Sequence, residues 1–194
     1  MKVPLMMEFG DKNILVIGLG RVGRRRAAFL RDAGCRVSAV DTKAFPQDWD
    51  TTGIHIIRRE YGMNLLKGVD VAVIATDDHM LNQWIANDCK ANGILCNCAD
   101  DPEISDFIFP AVVRRGDLTL SVCTEGASPF MTRKIADELA KAYGPEMGEK
   151  LQLMRQLRQR TLNSDMDTMQ KRHYLKGLVD KSLEELKQEA AKDE

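Results

Sequence analysis

The residues best suited to chemistry are three glycines, Gly18-Leu-Gly20-Arg-Val-Gly23, and acids that recur downstream at Asp41, Asp77-Asp78 and Asp100-Asp101. A G-x-G-x-x-G run between a strand and a helix is built to cradle a pyrophosphate. Gly18 makes the tight turn, Gly20 lets backbone N–H groups approach the phosphates, and Gly23 lets helix and strand pack closely. Arg21 and Val22 lie in the same loop, and the helix N-terminus offers the phosphates partial positive charge. A glycine-rich connector without function has the same composition, so the flanking elements decide between the two. Asp41 follows Gly23 by eighteen residues. A carboxylate there accepts the ribose hydroxyls of an adenosine and repels a 2′-phosphate. The pattern of Asp41-Thr42-Lys43 therefore points to NAD, with Lys43 softening the preference over NADP; an ordinary turn acid is the alternative for Asp41.

Two further acidic loops, Thr76-Asp77-Asp78 and Asn97-Cys-Ala-Asp100-Asp101-Pro, follow the fourth and fifth apolar runs. In an open parallel sheet ligands bind beyond the carboxyl ends of the strands, and a carboxylate there can act as a base. The plainer reading stays open: Asp78 caps the next helix, and Asp-Asp-Pro-Glu is a solvated turn. His55, His79 and His173 are dispersed and lack metal-ligand spacing, so no metal site is expected, although His79 falls near the cleft mouth as a candidate metal relay. Cys96 and Cys98 share a strand face and read as core packing. Arg24-Arg25-Arg26 reads as a solvated helix face. Arg114-Arg115 and Arg133-Lys134 are basic pairs able to grip carboxylates.

The elements that must position these residues are legible in the hydrophobic pattern. Asn13 to Ile17 is a short, β-branched apolar run, read as a buried strand, and Gly20 to Ala33 a helix stopped by Gly34. Strands are expected at Arg36–Val40, Ile54–Arg58, Val71–Ala75 and Ile94–Asn97, with a helix over Leu81–Ala91. Strands separated by crossovers give a doubly wound α/β domain of Rossmann type, with a parallel sheet covered by helices on both faces. Beyond it, Phe107–Arg114 and Leu118–Thr124 suggest a hairpin or an extension of the sheet, and Ser128-Pro129 opens a helix in which Met131, Ile135 and Leu139 share a face. The rest is helical in character. Two helices are expected there, the first faced by Leu151, Met154 and Leu157, the second by Met166, Met169, His173 and Leu178. The expected division is 1–112 for a nucleotide-binding domain, 113–145 for a small α/β dimerisation region, and 146–194 for a helical C-terminal region.

Composition narrows the function classes. The chain has 194 residues, with 28 Lys plus Arg against 29 Asp plus Glu and a net charge of −1. That removes the basic excess on which nucleic-acid or anionic-membrane binding rests. No apolar run reaches the roughly 18 residues of a membrane helix, and Met1 to Asp11 does not read as a signal peptide. Five cysteines without a CxxC pair fit reduced thiols and a cytoplasmic location.

Several segments together resemble the precorrin-2 dehydrogenases of sirohaem synthesis, which also supply the N-terminal part of sirohaem synthase. They are Val3-Pro-Leu, the glycine loop, Ala75-Thr-Asp-Asp78 with Leu81-Asn82, Asn97-Cys-Ala-Asp-Asp-Pro, Asp106-Phe-Ile-Phe-Pro-Ala111 and Gly126-Ala-Ser-Pro129, in order across roughly residues 3 to 160. The resemblance implies a homodimer that oxidises precorrin-2 to sirohydrochlorin with NAD; some members also insert ferrous iron, giving sirohaem. It implies that Asp100 is the general base. Cofactor contacts fall on Gly18, Gly20, Arg21, Val22, Gly23, Asp41, Thr42, Lys43, Thr76 and Asp77. Thr124 and Ser128 are expected to line the tetrapyrrole cleft, with Asn97 as a further contact. Because the substrate carries many carboxylates, Arg114, Arg115 and Arg133 are added as electrostatic partners. Two departures stand out: the loop is closer to a general NAD fingerprint than to the family's Gly-Gly-Gly-x-Val-Ala, and Glu125 stands where some members have Gly. With no room for a methyltransferase domain before Glu194, precorrin-2 is expected from another protein. The glycine loop with Val40-Asp41 also resembles the NAD-sensing modules that gate potassium transport, which lack counterparts to the segment from Asn97 to Pro129. A tetrapyrrole carrier without catalysis is a third reading, and the presence of Asp100 argues against it.

Overall fold

The computed structural model describes residues 3–192, and the chain divides into two compact units, Met1–Ile108 and Phe109–Glu194. Met1, Lys2, Asp193 and Glu194, the ends of the expected outer regions, lie outside the described residues.

In the first unit the apolar runs become strands β1 (Asn13–Ile17), β2 (Arg36–Val40), β3 (Ile54–Ile57), β4 (Val71–Ile74) and β5 (Leu95–Cys98). They form one parallel sheet in the order β3-β2-β1-β4-β5. The chain starts in the middle, moves out to β3, then returns past β1 to β4. That reversal leaves a crevice between the carboxyl ends of β1 and β4, where such sheets bind ligands. Residues one apart on a strand face opposite sides. Leu15, Ile17, Val40, Ala72, Ile74, Cys96 and Cys98 accordingly share one face, packed against Ile85, Ala86 and Cys89 of helix α2 (His79–Ala91). Helix α1 (Arg21–Asp32) buries Gly23, Ala27 and Leu30. This is the expected Rossmann-type sheet, with a 3-10 turn over Met63–Leu66 between β3 and β4.

Two local expectations change. Helix α2 begins at His79, not Leu81, because the Asp78 carboxylate accepts the Leu81 N–H at 3.0 Å and so caps it. The three arginines of α1 are not all solvated. Arg26 is half-buried, and its pKa is lowered first by burial and then by Arg25, because it lies one turn from Gly23 and Leu30 on the packed side.

In the second unit β6 (Ala111–Arg115) and β7 (Leu118–Val122) pair antiparallel around Gly116-Asp117. Strand β6 starts four residues later than expected, since Pro110 has no N–H to give a ladder. Helix α3 (Pro129–Ala142) is capped by Ser128, whose hydroxyl accepts the Met131 N–H at 3.2 Å. Three helices follow, not two: α4 (Glu146–Asn163), α5 (Thr168–Gly177) and α6 (Leu183–Ala191). The missed boundary was encoded as Ser182-x-x-Glu185, a capping box that starts α6; Asp167-x-x-Gln170 does the same for α5. Leu157, Leu178 and Leu186 form the small core of these helices, with Tyr174 and Leu175 against it. Met166 and Met169, expected on that face, are exposed, because the helix break shifts the inward face toward Tyr174. Among the described residues no helix is long and apolar enough to cross a membrane.

Candidate functional site: a dinucleotide crevice and a clamped aspartate

The glycine loop owes its shape to two close approaches. Gly18 has φ +92°, and a Cβ there would lie 2.5 Å from the Ala75 carbonyl oxygen. A Cβ on Gly23 would lie 1.9 Å from the Gly18 oxygen. Only glycine fits either position, and β1, the loop and α1 close on one another as a result. Gly20 differs: nothing lies within 4 Å of the Cβ it lacks. It is the N-cap of α1 and no side chain caps that helix end, so the first N–H groups face open space. This cradle suits a pyrophosphate.

A cavity of about 540 Å³ opens over the loop, within the range of small-molecule and cofactor sites. Gly18, Gly20, Arg21 and Val22 line one end. Asp41, Thr42 and Lys43 line it from the end of β2, and Thr76 and Asp77 from the end of β4. Gly23, expected among the contacts, instead packs beneath the loop. Sequence reasoning missed Arg59, Glu60, Tyr61 and Leu81, which line the cavity together with Asp78 of the expected acidic loop. The first three follow β3, so the rule that ligands sit beyond strand carboxyl ends applied to them as well.

Asp41 accepts the Leu19 N–H at 2.6 Å and the Lys43 N–H at 2.8 Å, one on each carboxylate oxygen. Each oxygen keeps a lone pair, enough for a pair of ribose hydroxyls. Lys43 Nζ meets Asp77 Oδ2 at 2.6 Å, joining the β2 and β4 loops at the crevice. The hydrogen bond raises the Lys43 pKa and lowers that of Asp77.

Beside this crevice Asp100 is held from three sides. Its Oδ1 accepts from Asn82 Nδ2 at 3.0 Å and from the Cys98 thiol at 2.9 Å. Its Oδ2 lies 3.1 Å from His79 Nδ1. Burial is the largest single influence on Asp100 and pushes its pKa up, but the bonds from Cys98, His79 and Asn82 outweigh it, and the net shift is downward. Burial and the neighbouring Asp100 push the Cys98 thiol up to about 12, so it remains a donor. Asn82, fully buried, also accepts the Thr76 hydroxyl at 2.5 Å, which ties the clamp to the crevice lining. Asp78 of the same cluster serves as the α2 cap.

Asn97 is 2% exposed and its amide donates to the Phe107 carbonyl at 2.6 Å, so burial keeps it from the surface where a substrate contact is expected. Cys96 and Cys98 are buried core residues. The remaining expected substrate residues belong to the second unit. Thr124 Oγ1 accepts the Ser128 N–H at 3.2 Å and meets Thr132 Oγ1 at 2.8 Å, so Thr124 and Ser128 together shape the start of α3. Arg114 is exposed on β6, and Arg133 is exposed on α3 with Asp137 at 3.9 Å. Arg115 differs from the expectation: its guanidinium donates to the carbonyls of Tyr143, Ala140 and Arg114, closing the C-terminal end of α3. Those bonds occupy the face that a substrate carboxylate needs.

"Siroheme synthase" of Escherichia coli is 28% identical over 179 residues, covering 91% of this chain and 39% of that protein. The protein of the same name from Shigella boydii serotype 18 is 30% identical over 173 residues, covering 88% and 38%. The chain thus spans about two fifths of the length of these relatives. A solved structure described as "SirC, precorrin-2 dehydrogenase" superposes with a TM-score of 0.81 at 24% identity, covering 98% of this chain and 100% of that one. The fold is therefore shared, second unit included. A family model described as "Putative NAD(P)-binding" matches residues 5–111, the stretch that holds both the glycine loop and Asp100. A match over more than half of the chain's 194 residues means that the chain belongs to this NAD(P)-binding family.

Proposed function

We propose that the chain is an NAD-dependent dehydrogenase that oxidises precorrin-2 to sirohydrochlorin in sirohaem synthesis. The observation that carries this reading is Asp100, a carboxylate kept anionic by three donors and tied through Asn82 and Thr76 to the lining of the dinucleotide crevice. NAD, when bound, supplies an acceptor for two electrons and one hydrogen of the macrocycle. Gly20 and the open end of α1 hold the pyrophosphate, and Asp41 holds the adenosine ribose. Asp100 takes the second hydrogen as a proton from a pyrrolic nitrogen, so one C–H and one N–H bond break while the macrocycle loses two electrons. The names of the relatives and the shared fold support this choice of substrate.

The finer parts of the reading follow. Thr124, Ser128, Arg114 and Arg133 serve the carboxylate-rich substrate, and residues 113–145 form the interface of a homodimer. The five cysteines are free thiols, which supports a cytoplasmic location. Ferrous iron enters as a second substrate, with Asp100 taking the pyrrolic protons that insertion displaces. The test is anaerobic incubation with enzymatically generated precorrin-2 and NAD, following NADH and the tetrapyrrole spectrum, then addition of ferrous iron. Asp100→Asn is expected to abolish NADH formation while leaving NAD affinity within about threefold. No turnover by the wild-type protein with NAD binding intact refutes the dehydrogenase and favours a nucleotide-sensing module.

A further inference from the structure

The two oxygens of Asp100 are not equivalent. A carboxylate oxygen has two lone pairs, and those of Oδ1 are both engaged, by Asn82 Nδ2 and the Cys98 thiol. Among the described residues, the hydrogen-bond partner of Oδ2 is His79 Nδ1. One lone pair on Oδ2 therefore remains for an incoming proton. The imidazole is itself fixed. Its Nε2 lies 3.0 Å from the Gln83 amide nitrogen, and because a carboxylate oxygen only accepts, it is a hydrogen on Nδ1 that meets Asp100.

We infer that His79 is a positioning residue which, with Asn82, makes Asp100 a base acting through Oδ2 alone. The inference deepens the dehydrogenase reading and rests on it. His79 and Asn82 stand three residues apart on α2, so they reach the same side of the helix. Asn82 is fully buried and locks Oδ1; the His79 side chain is 58% exposed and leaves room beside Oδ2 for a substrate. The titratable groups facing Asp100 are His79 from α2 and Cys98 from β5. Asp101 adjoins it on its own loop, and Arg26 of α1 lies within electrostatic reach of Cys98. Because Asn82 and Cys98 are buried and the His79 side chain is 58% exposed, His79 is the member of the clamp whose removal takes a hydrogen bond from Oδ2 without opening the core.

The test compares His79→Ala with His79→Asn, whose amide nitrogen can take the place of Nδ1 and restore the bond. The first readout is the side-chain carboxyl carbon shift of Asp100 against pH, by NMR on the intact protein without substrate. The carboxyl midpoint is expected to rise in His79→Ala and to return toward the wild-type value in His79→Asn. The second readout is kcat/KM for precorrin-2 against pH. The acid limb is expected to move up in His79→Ala in step with the carboxyl midpoint, and turnover at neutral pH to fall about 10- to 100-fold from the loosened geometry, with NAD affinity unchanged. A midpoint that does not move in His79→Ala overturns the positioning role and leaves the dehydrogenase reading untouched. A moved midpoint with unchanged kcat/KM at every pH overturns it too. A wild-type protein that binds NAD and turns nothing over refutes the dehydrogenase reading, and the inferred role falls with it.

Discussion

Gly20 and Gly23 belong to one motif but are required for opposite reasons, and alanine at each position separates them. At Gly23 the new methyl would sit 1.9 Å from the Gly18 carbonyl oxygen. An ordinary carbon–oxygen contact is above 3 Å, so main chain must move by more than an ångström against main chain. Overpacking of this kind costs about 1–3 kcal/mol. Alanine's better helix propensity returns up to about 1 kcal/mol, leaving a net loss of about 1–2 kcal/mol out of a typical total of about 5–15. At Gly20 nothing lies within 4 Å, and φ −65° with ψ −175° is open to any residue. Gly20→Ala is expected to change stability by no more than about 0.5 kcal/mol, the weaker N-cap offsetting the entropy removed from the unfolded chain. Its methyl instead stands where the phosphates approach. Each charge-assisted bond to a helix N–H lost there costs about 1.5–3 kcal/mol, or about a ten- to hundredfold loss of NAD affinity. Urea unfolding followed by circular dichroism reads the first quantity, and a fluorescence titration with NADH the second. Wild-type affinity in Gly20→Ala would show that the pyrophosphate does not pass over α1, and wild-type stability in Gly23→Ala would refute the packing argument.

Two further outcomes follow from single residues. Asp41→Ala removes the acceptor that serves Leu19 N–H, Lys43 N–H and the ribose; NAD binding by calorimetry should weaken about tenfold and the gap to NADP should narrow, from one lost charged hydrogen bond. Unchanged NAD affinity removes Asp41 from the ribose. Glu125 has φ +51°, a left-handed backbone that costs a non-glycine residue about 1–2 kcal/mol. Glu125→Gly should therefore raise the urea midpoint, with a gain of up to about 1 kcal/mol after glycine's own entropy cost, and an unchanged or lower midpoint counts against strain there.

The parallel sheet was legible because its strands are buried on both faces and read as continuous apolar runs from Asn13 to Ile17 and from Val71 to Ile74. The crevice was legible for a related reason: Gly18, Asp41 and Thr76 each follow a strand, and the carboxyl ends of parallel strands lie at one edge of the sheet. The helical tail was harder. Its apolar content is thin, so periodicity was a weak guide, and the inward face could be set only once both caps at Asp167 and Ser182 were recognised. Glu125 shows a limit of another kind. Replacing glycine there, it reads as added charge, whereas its backbone conformation explains the glycine of the resembling family: the position is left-handed, and charge is the lesser matter.

The clamp on Asp100 was within reach of the sequence, but only by taking the plain reading of Asp78 seriously. With Asp78 as a base candidate, the helix starts at Leu81 and His79 falls in a loop with no defined direction. With Asp78 as the cap, the first turn begins at His79. Residues three and four apart on a helix are neighbours, so His79, Asn82 and Gln83 then form one edge of α2, facing the carboxyl end of β5. That end already carries Cys98 and Asp100, two residues apart. A structural role for one aspartate thus fixes the surroundings of another: the cap sets the helix register, the register sets which donors reach Asp100, and those donors leave Oδ2 as the oxygen that can take a proton. If Asp78 acts this way, Asp78→Ala should lower turnover through His79 and Asn82 rather than through any chemistry of its own. Asp78→Ser, which keeps an N-cap oxygen, should then recover most of the loss, and a base lost at position 78 could not be recovered by serine.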